Sequence, residues 1–532
     1  MRHTTSLSCA EDLPTTELSQ SLFGIDIGTT GVKTLLVDER GRTVASCTVP
    51  HPLHTPRPGW TEQDPEDWWR GTVESIRKVL RDSGVKSEAI AGVGLSGQMH
   101  SSVFLDDGDR VIRPAILWND GRTTPQCRWI TERVGEENLR RWVANPALEG
   151  FTAPKVIWLR ENEPENYRKV RTLFLAKDYI RFRLTGEKAT EYSDAAGTIL
   201  LDVRNRRWSE EMLEALELPK DIFPPLYESV DVCGRVTKEV GELTGLAPGT
   251  PVVGGGADNA CGATGAGVVR EGRVLSSVGT SGTVVAPSET VQVDPGMRAH
   301  TFCHSVPGMW YVMGVVLSAG GSLRWFRDVV GQLEVMAEEL TGVDAYDLLT
   351  KEAERAEPGS EGLIFLPYIT GERTPHRDAD ARGVLFGLSA RHGRAHMVRA
   401  VLEGITFAMR DSLEIIRELG IRVEEIRATG GGAKSPFWRQ LQADIYGAPV
   451  HTSTNTEGPA FGAALIAGVG AGLFSDLAEA ADELVHIATA AEPDPERTKL
   501  YDEFYEVFRS LYPALRERFK ETAELVRKFA GR

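Results

Sequence analysis

At 532 residues the chain exceeds what one hydrophobic core supports, which predicts two or more domains. Apolar residues make up 41% and charged residues 26%, the balance of a soluble globular protein. A formal net charge of −16, with no run of like charge, argues against nucleic acid or an anionic membrane as partner.

Residues 1–21 are polar, carry acids and lack an apolar core, so they predict a disordered extension and not a signal peptide. The stretch LFGIDIGTTGVKTLLVD (22–38) follows. Two apolar runs flank Gly28-Thr29-Thr30-Gly31, the pattern of a β-hairpin. Asp26 and Lys33 lie inside those runs, where charge is costly unless something uses it. DPEDWWRGTVESIRKVLRDSG then predicts a helix, with Asp64 as N-cap, Pro65 in the first turn, Trp69, Val73, Ile76 and Leu80 on one face, and Gly84 as the stop. IAGVGLSG reads as a buried strand. Gln98, Met99 and His100 sit at its carboxyl end, where open α/β sheets bind ligands. Beyond it, Trp118-Asn119-Asp120 and Arg122 form a polar cluster, either an ordinary turn or a set of donors and acceptors for a hydroxyl-rich ligand.

VVGGGADNACGATGAG (252–267) carries Asp258 and Asn259 between a strand and a glycine-rich helix. Asp258 there is either a helix cap or a general base. VLSSVGTSGTVVAP (274–287) is a second hairpin, and its centre Gly279-Thr280-Ser281-Gly282 resembles the first turn. The pair reads as an internal repeat of two related domains. RAHMVRAVLEGITFAMRDSLEIIRELG predicts a long helix with Val398, Leu402, Ile405, Met409, Leu413 and Ile416 on one face. The strand VEEIRATG leads into glycines 430–432 and a helix capped by Ser435 and closed by Gly447. The apolar run Ala460–Phe474 is too short for a bilayer and reads as a buried helix. From Glu492 onward one or two amphipathic helices close the chain.

Two hydroxyl-rich glycine turns and a triple-glycine strand-to-helix loop can present many free backbone N–H groups, as phosphate sites require. Plain hairpin turns are the simpler reading of either turn taken alone. No P-loop occurs; the nearest string, TGGGAKS, has Ala433 where a glycine is needed. A Rossmann fingerprint fails on spacing. The six cysteines (Cys9, Cys47, Cys127, Cys233, Cys261, Cys303) form no C-x-x-C pair, which fits free thiols in a reducing compartment.

Taken together, these motifs resemble the FGGY family of carbohydrate kinases. GFTAPKVIWLREN (150–162) and GVLFGLSARHGRAHMVRAVLE (383–403) are similar to its two signature regions, and SDAAGT, GTSG, FLPYITGERTPH and GGGAKSPFWRQ extend the likeness. The resemblance implies an α/β fold of two actin-like (ribonuclease H-like) domains with a cleft between them. Residues 22–268 would form the sugar side, 269–490 the nucleotide side and 491–532 a closing helical segment. It implies ATP and Mg²⁺, with D-xylulose as the nearest acceptor, in a cytoplasmic homodimer. Asp258 matches the base and Asp26 the acid near the metal, reached through water. Gln98, Met99, His100, Trp118 and Asn259 match sugar contacts. Thr29, Thr30, Lys33, Thr280 and Ser281 match the phosphate loops, and Gly431, Gly432 and Ala433 the nucleotide loop. Two departures, Ser101 and Ala257, stand where close relatives tend to have glycine. The alternatives are another acceptor (ribulose, glycerol, gluconate) or a non-catalytic ATP-binding sugar sensor; a sensor could lack the carboxylate at 258.

Overall fold

In the computed structural model, which describes residues 20–530, the chain is built on two mixed sheets of seven strands each. The first grows from the hairpin of β1 (Ser21–Ile27) and β2 (Gly31–Asp38), with β3 (Thr43–Pro50) antiparallel to β2. On the other side β4 (Ile90–Gly97) runs parallel to β1, and β5 (Pro251–Val253) parallel to β4. The order is β5-β4-β1-β2-β3, with Val232–Arg235 at the β5 edge.

The second sheet repeats this plan. Its hairpin is β6 (Gly272–Val278) and β7 (Gly282–Ser288); β8 (Trp310–Val316) is antiparallel to β7. β9 (Val423–Gly430) is parallel to β6, and β10 (Val450–Ser453) parallel to β9. The repeat glimpsed in two short turns is thus a repeat of five strands in the same order and directions. The turns themselves differ in register: Ile27 faces Val32, whereas Val278 faces Gly282, one residue tighter.

Helix α1 (Pro65–Ser83) starts where the Asp64 side chain accepts the Glu66 N–H and stops at Gly84, which takes φ 67°. Trp68, Trp69, Ile76 and Val79 are buried against the first sheet, each contributing roughly 1.5–3 kcal/mol. Helix α2 (Thr152–Asn162) and helix α3 (Asp258–Gly265) also belong to this half. In the second half α4 (Arg394–Glu418) takes the place of α1, and its whole predicted stripe from Val398 to Ile416 is buried. Helix α5 (Pro436–Tyr446) is capped by Ser435 and ends at Gly447, as the sequence indicates.

Helix α6 (Pro459–Gly470) is the apolar run, and it returns to the first half. It lies directly on β1 and β4: a Cβ on Gly24 or Gly94 would overlap the carbonyls of Ala460 and Ala463. It also crosses α3, where a Cβ on Gly462 would overlap the Cys261 carbonyl. Small residues are required because helix and sheet backbones approach without side chains between them. The crossing pair α3 and α6 therefore forms the floor shared by the two halves. The chain closes with one helix, α7 (Pro495–Ala530), which carries Pro513 within it and packs Tyr501, Tyr505 and Phe508 on Phe407 of α4.

Among the described residues no helix is long and apolar enough to cross a membrane. Cys47, Cys127, Cys233, Cys261 and Cys303 are free and buried. Cys9 and the expected N-terminal extension up to residue 19 lie outside the described residues, and Ser21 already belongs to β1.

Candidate active site

The carboxyl ends of β1 and β4 bring Asp26, Ser96 and the turn after Ile27 together. Gly28 N–H closes the turn on Gly31 O at 3.1 Å. Three side chains brace it from outside. Gln63 Nε2 donates to Thr29 O (2.7 Å) and to His51 Nδ1 (3.1 Å), which leaves the His51 proton on Nε2, where it is donated to Gly28 O (3.1 Å). Trp118 Nε1 donates to Thr29 Oγ1 at 3.0 Å. Gln98 Nε2 donates to Gln63 Oε1 at 3.0 Å, while Gln98 Oε1 is buried with no partner. Gln98 thus stands behind the turn, and Gln63 and His51 are braces that the sequence did not reveal. The neighbouring residues Asn119, Asp120 and Arg122 resolve to the ordinary reading. Arg122 is buried, paired with Asp120 and Glu62 and lying 3.8 Å over the Trp60 ring. Asn119 accepts from Thr61 Oγ1 at 2.8 Å.

Two carboxylates face each other. Asp26 Oδ1 accepts from Ser96 Oγ at 2.8 Å, and burial raises its pKa against the pull of Ser96 and Lys33. Lys33, opposite Asp26 in the hairpin, is ion-paired to Glu457 from the loop preceding α6. Asp258 opens α3, but the N-cap is Ala257. The Asp258 carboxylate instead accepts from its neighbour Asn259, at 2.7 Å from the backbone N–H and 2.9 Å from Nδ2. Burial first, then the Asp26 carboxylate, pushes the Asp258 pKa up to about 7. A carboxyl poised there suits proton acceptance near neutral pH.

Met99 Sδ lies 3.6 Å from Asn259 Nδ2, which places Met99 and His100 beside Asp258. His100 has φ 68°, an uncommon conformation for a residue other than glycine. Its carbonyl is held by Lys155 Nζ (2.8 Å) and Thr152 Oγ1 (3.1 Å), both from the start of α2. Its Nδ1 donates to Gly197 O at 2.7 Å, and its ring packs edge-on against Phe151, 4.8 Å between centroids. Burial drives its pKa down to about 3, helped by Lys155, so the ring is neutral and Nε2 carries a lone pair. Lys155 is fully buried, also donates to Gly150 O at 2.8 Å, and has its pKa lowered to about 7 by desolvation. The motif containing Lys155 is visible in the sequence; its task of holding the His100 backbone is not.

From Asp258 and Asn259 a cleft of about 780 Å³ runs over α3 to Gly430, Gly431, Ala433 and Lys434. Its far wall is Thr452 and Ser453 at the end of β10 with Asn455 and Thr456 of the loop after it, a polar stretch with no sequence signal. Gly432 does not line the cleft: its α-carbon faces inward, where a Cβ would overlap Val278. The second turn is pinned by the next helix. Gly320 N–H donates to Gly279 O (2.9 Å), Gly321 N–H to Thr280 O (2.8 Å), and Arg324 Nη2 to Thr280 Oγ1 (3.0 Å). Ser281 closes it by accepting Gly279 N–H through its carbonyl at 2.9 Å. Ser101 and Ala257 are fully buried outside the cleft, Ala257 N–H donating to Ser193 Oγ at 2.9 Å.

The sequence matches the FGGY family of carbohydrate kinases over both family domains, N-terminal at residues 21–265 and C-terminal at 274–471. The chain belongs to the FGGY family of carbohydrate kinases. This FGGY kinase is 42% identical over 491 residues to xylulose kinase of Bacillus subtilis, covering 92% of this chain and 96% of the relative. It is 41% identical over 494 residues to xylulose kinase of Escherichia coli, covering 93% and 99%. A gluconokinase of Bacillus subtilis is more distant, 29% identical over 512 residues, covering 96% and 99%. Among solved structures, a xyloylose kinase from Brucella ovis superposes with a TM-score of 0.85 at 35% identity, covering 94% of this chain and all of that one. The two-domain α/β architecture of the FGGY kinases is the architecture found here.

Proposed function

We propose that this kinase transfers the γ-phosphoryl group of ATP to the terminal hydroxyl of D-xylulose, giving D-xylulose 5-phosphate. The observation that carries the acceptor is the gap in identity between xylulose kinases, 42% and 41%, and gluconokinase, 29%, each over most of the chain. The carboxylate at 258, at the junction of the cleft and the Met99–His100 wall, favours catalysis over sensing.

Asp258 accepts the proton of the attacking hydroxyl as the new P–O bond forms. Met99, Asn259 and the His100 Nε2 lone pair orient the sugar, with Trp118 and Gln98 supporting it through the first turn. The backbone N–H groups and hydroxyls of Thr29, Thr30, Thr280 and Ser281 cradle phosphate oxygens, and Lys33 adds charge once it leaves Glu457. Gly431 and Ala433 give the adenosine a flat wall, and Gly432 keeps that loop tight against β6. Residues 22–268 thereby serve the sugar and 269–490 the nucleotide.

No cluster of three or more His, Cys, Asp or Glu suited to a metal exists among the described residues. Mg²⁺ needs no such cluster, since it binds through one or two carboxylates, waters and nucleotide phosphates. Asp26, a hard oxygen donor with Oδ1 on Ser96 and Oδ2 directed toward the turn glycine, would hold it through water. Bound with ATP, the ion would neutralise charge on the phosphates. The test is phosphorylation of D-xylulose against a panel of ketoses and polyols, with the product's phosphate position assigned.

A further inference from the structure

The loop 367–382 of the second half reaches into the sugar wall of the first. It is firmly anchored to β8 and the residue after it: Thr374 N–H donates to Val315 O (3.0 Å), Val315 N–H to Thr374 Oγ1 (3.0 Å), and Leu317 N–H to Glu372 Oε1 (2.9 Å). Between these anchors stands Arg373. Its Nη2 lies over the Gly150 backbone, 3.6 Å from where a Cβ would be. Gly150 precedes Phe151, which packs on the His100 ring, and the Gly150 carbonyl shares Lys155 Nζ with the His100 carbonyl.

The Arg373 guanidinium makes no hydrogen bond and no ion pair with any described residue. It is desolvated, and the charges that act on it are Glu149 from the first half and Glu372 from its own loop. Its field reaches both His100 and His300. The guanidinium therefore stands beside the Gly150–Phe151 segment that packs on the His100 ring. What it offers a ligand is N–H donors. His100 Nε2, by contrast, offers only a lone pair.

We propose that Arg373 is a specificity-determining residue for the acceptor: its guanidinium donates hydrogen bonds to the carbonyl-bearing end of a ketose whose other end reaches Asp258. A guanidinium has donors only, and a carbonyl oxygen has lone pairs only, so the two match without any hydroxyl having to turn. Partly desolvated N–H groups that a ligand fails to pair penalise that ligand, which is how such a site rejects analogues. The second half of the chain thus reads a sugar held by the first, and only when the two halves are together.

This inference rests on the acceptor being a ketose, and the experiment separates the two. Steady-state rates of the full chain are measured at saturating ATP with D-xylulose and with xylitol, which lacks the carbonyl. Arg373→Met removes the donors and keeps the stem; Arg373→Lys keeps the charge and loses the fork. The side chain has no structural partner, so both variants should fold with native melting temperatures. Arg373→Met is expected to raise the KM for D-xylulose about 10–100-fold, to leave the KM for ATP within about twofold, and to erase most of the ketose preference, with Arg373→Lys intermediate. A native KM and preference in Arg373→Met, or equal rises for ATP and sugar, overturns the role of Arg373. Failure of the unaltered chain to phosphorylate D-xylulose overturns the acceptor reading itself.

Discussion

Asp258→Asn isolates the chemical step. Asp258 is held at a pKa of about 7 by burial and by the Asp26 carboxylate, against an ordinary value of 3.8. The base works only when ionised, so the sign is fixed: kcat/KM for the sugar rises with pH and levels off above 7. At pH 5 only about 1% of such a group is ionised, so kcat/KM should fall about tenfold per pH unit, close to a hundredfold from the plateau. An unperturbed aspartate would still be almost fully ionised at pH 5. Asn keeps the size and its carbonyl can still accept from Asn259, but it takes up no proton. The expected loss is about 10²–10⁴-fold in kcat, together with loss of the slope between pH 5 and 7. ADP should be quantified directly by chromatography, since coupling enzymes have pH profiles of their own. A flat native profile from pH 5 to 8, or an Asp258→Asn variant at close to native rate, would refute the reasoning and leave Asp26 as the remaining carboxylate.

Lys155→Met should raise the KM for the sugar with little change for ATP, because the His100 and Gly150 carbonyls lose their shared donor; His100 O keeps Thr152 Oγ1, but the Gly150 carbonyl left without that donor costs about 1–3 kcal/mol, so urea unfolding should show the loss as well. Native sugar KM in a folded Lys155→Met variant would contradict the positioning of His100. Gly431→Val should weaken ATP about tenfold or more, at least about 1.4 kcal/mol, with sugar binding intact, since a Cβ there meets only Val278 O at 3.7 Å and the side chain projects into the cleft. Unchanged nucleotide affinity by calorimetry would remove that loop from the nucleotide site. Gly462→Val should cost about 3 kcal/mol or more of folding stability, the obstruction being the Cys261 backbone on the crossing helix. A native urea midpoint would show that α3 and α6 are not packed as described.

Much of the fold was legible because local pattern and tertiary role agree. The apolar runs around Thr29-Thr30 and Thr280-Ser281 become paired hairpins, and Asp64, Gly84, Ser435 and Gly447 cap the helices they mark. The apolar run at 460 was read correctly as buried, but its destination was hidden: that α6 crosses back onto β1 and β4 depends on Gly24 and Gly94, residues with no pattern of their own. In the site, Asp258, Asn259, Gly431 and Ala433 line one cleft, while the two hydroxyl-rich turns are not among its lining residues. The supporting groups did not announce themselves. Gln63 and His51 act through carbonyls of a distant turn, and Lys155 acts through the left-handed backbone of His100. Asp120 and Arg122, for which the sequence left an ordinary turn and a ligand site both open, form a polar cluster that satisfies itself. Such contacts are set by tertiary approach, which spacing along the chain does not encode.

The reaction itself can be read out directly. The purified full-length chain is incubated with MgATP and, separately, D-xylulose, D-ribulose, glycerol and D-gluconate, and the sugar phosphate is identified by ³¹P and ¹³C NMR alongside ADP release. Stoichiometric ADP and a phosphomonoester on C5 of xylulose are expected, with a kcat/KM for D-xylulose at least about tenfold above each of the others, a gap of about 1.4 kcal/mol in transition-state stabilisation. No ADP above background with D-xylulose, or faster turnover of D-gluconate than of D-xylulose, would contradict it.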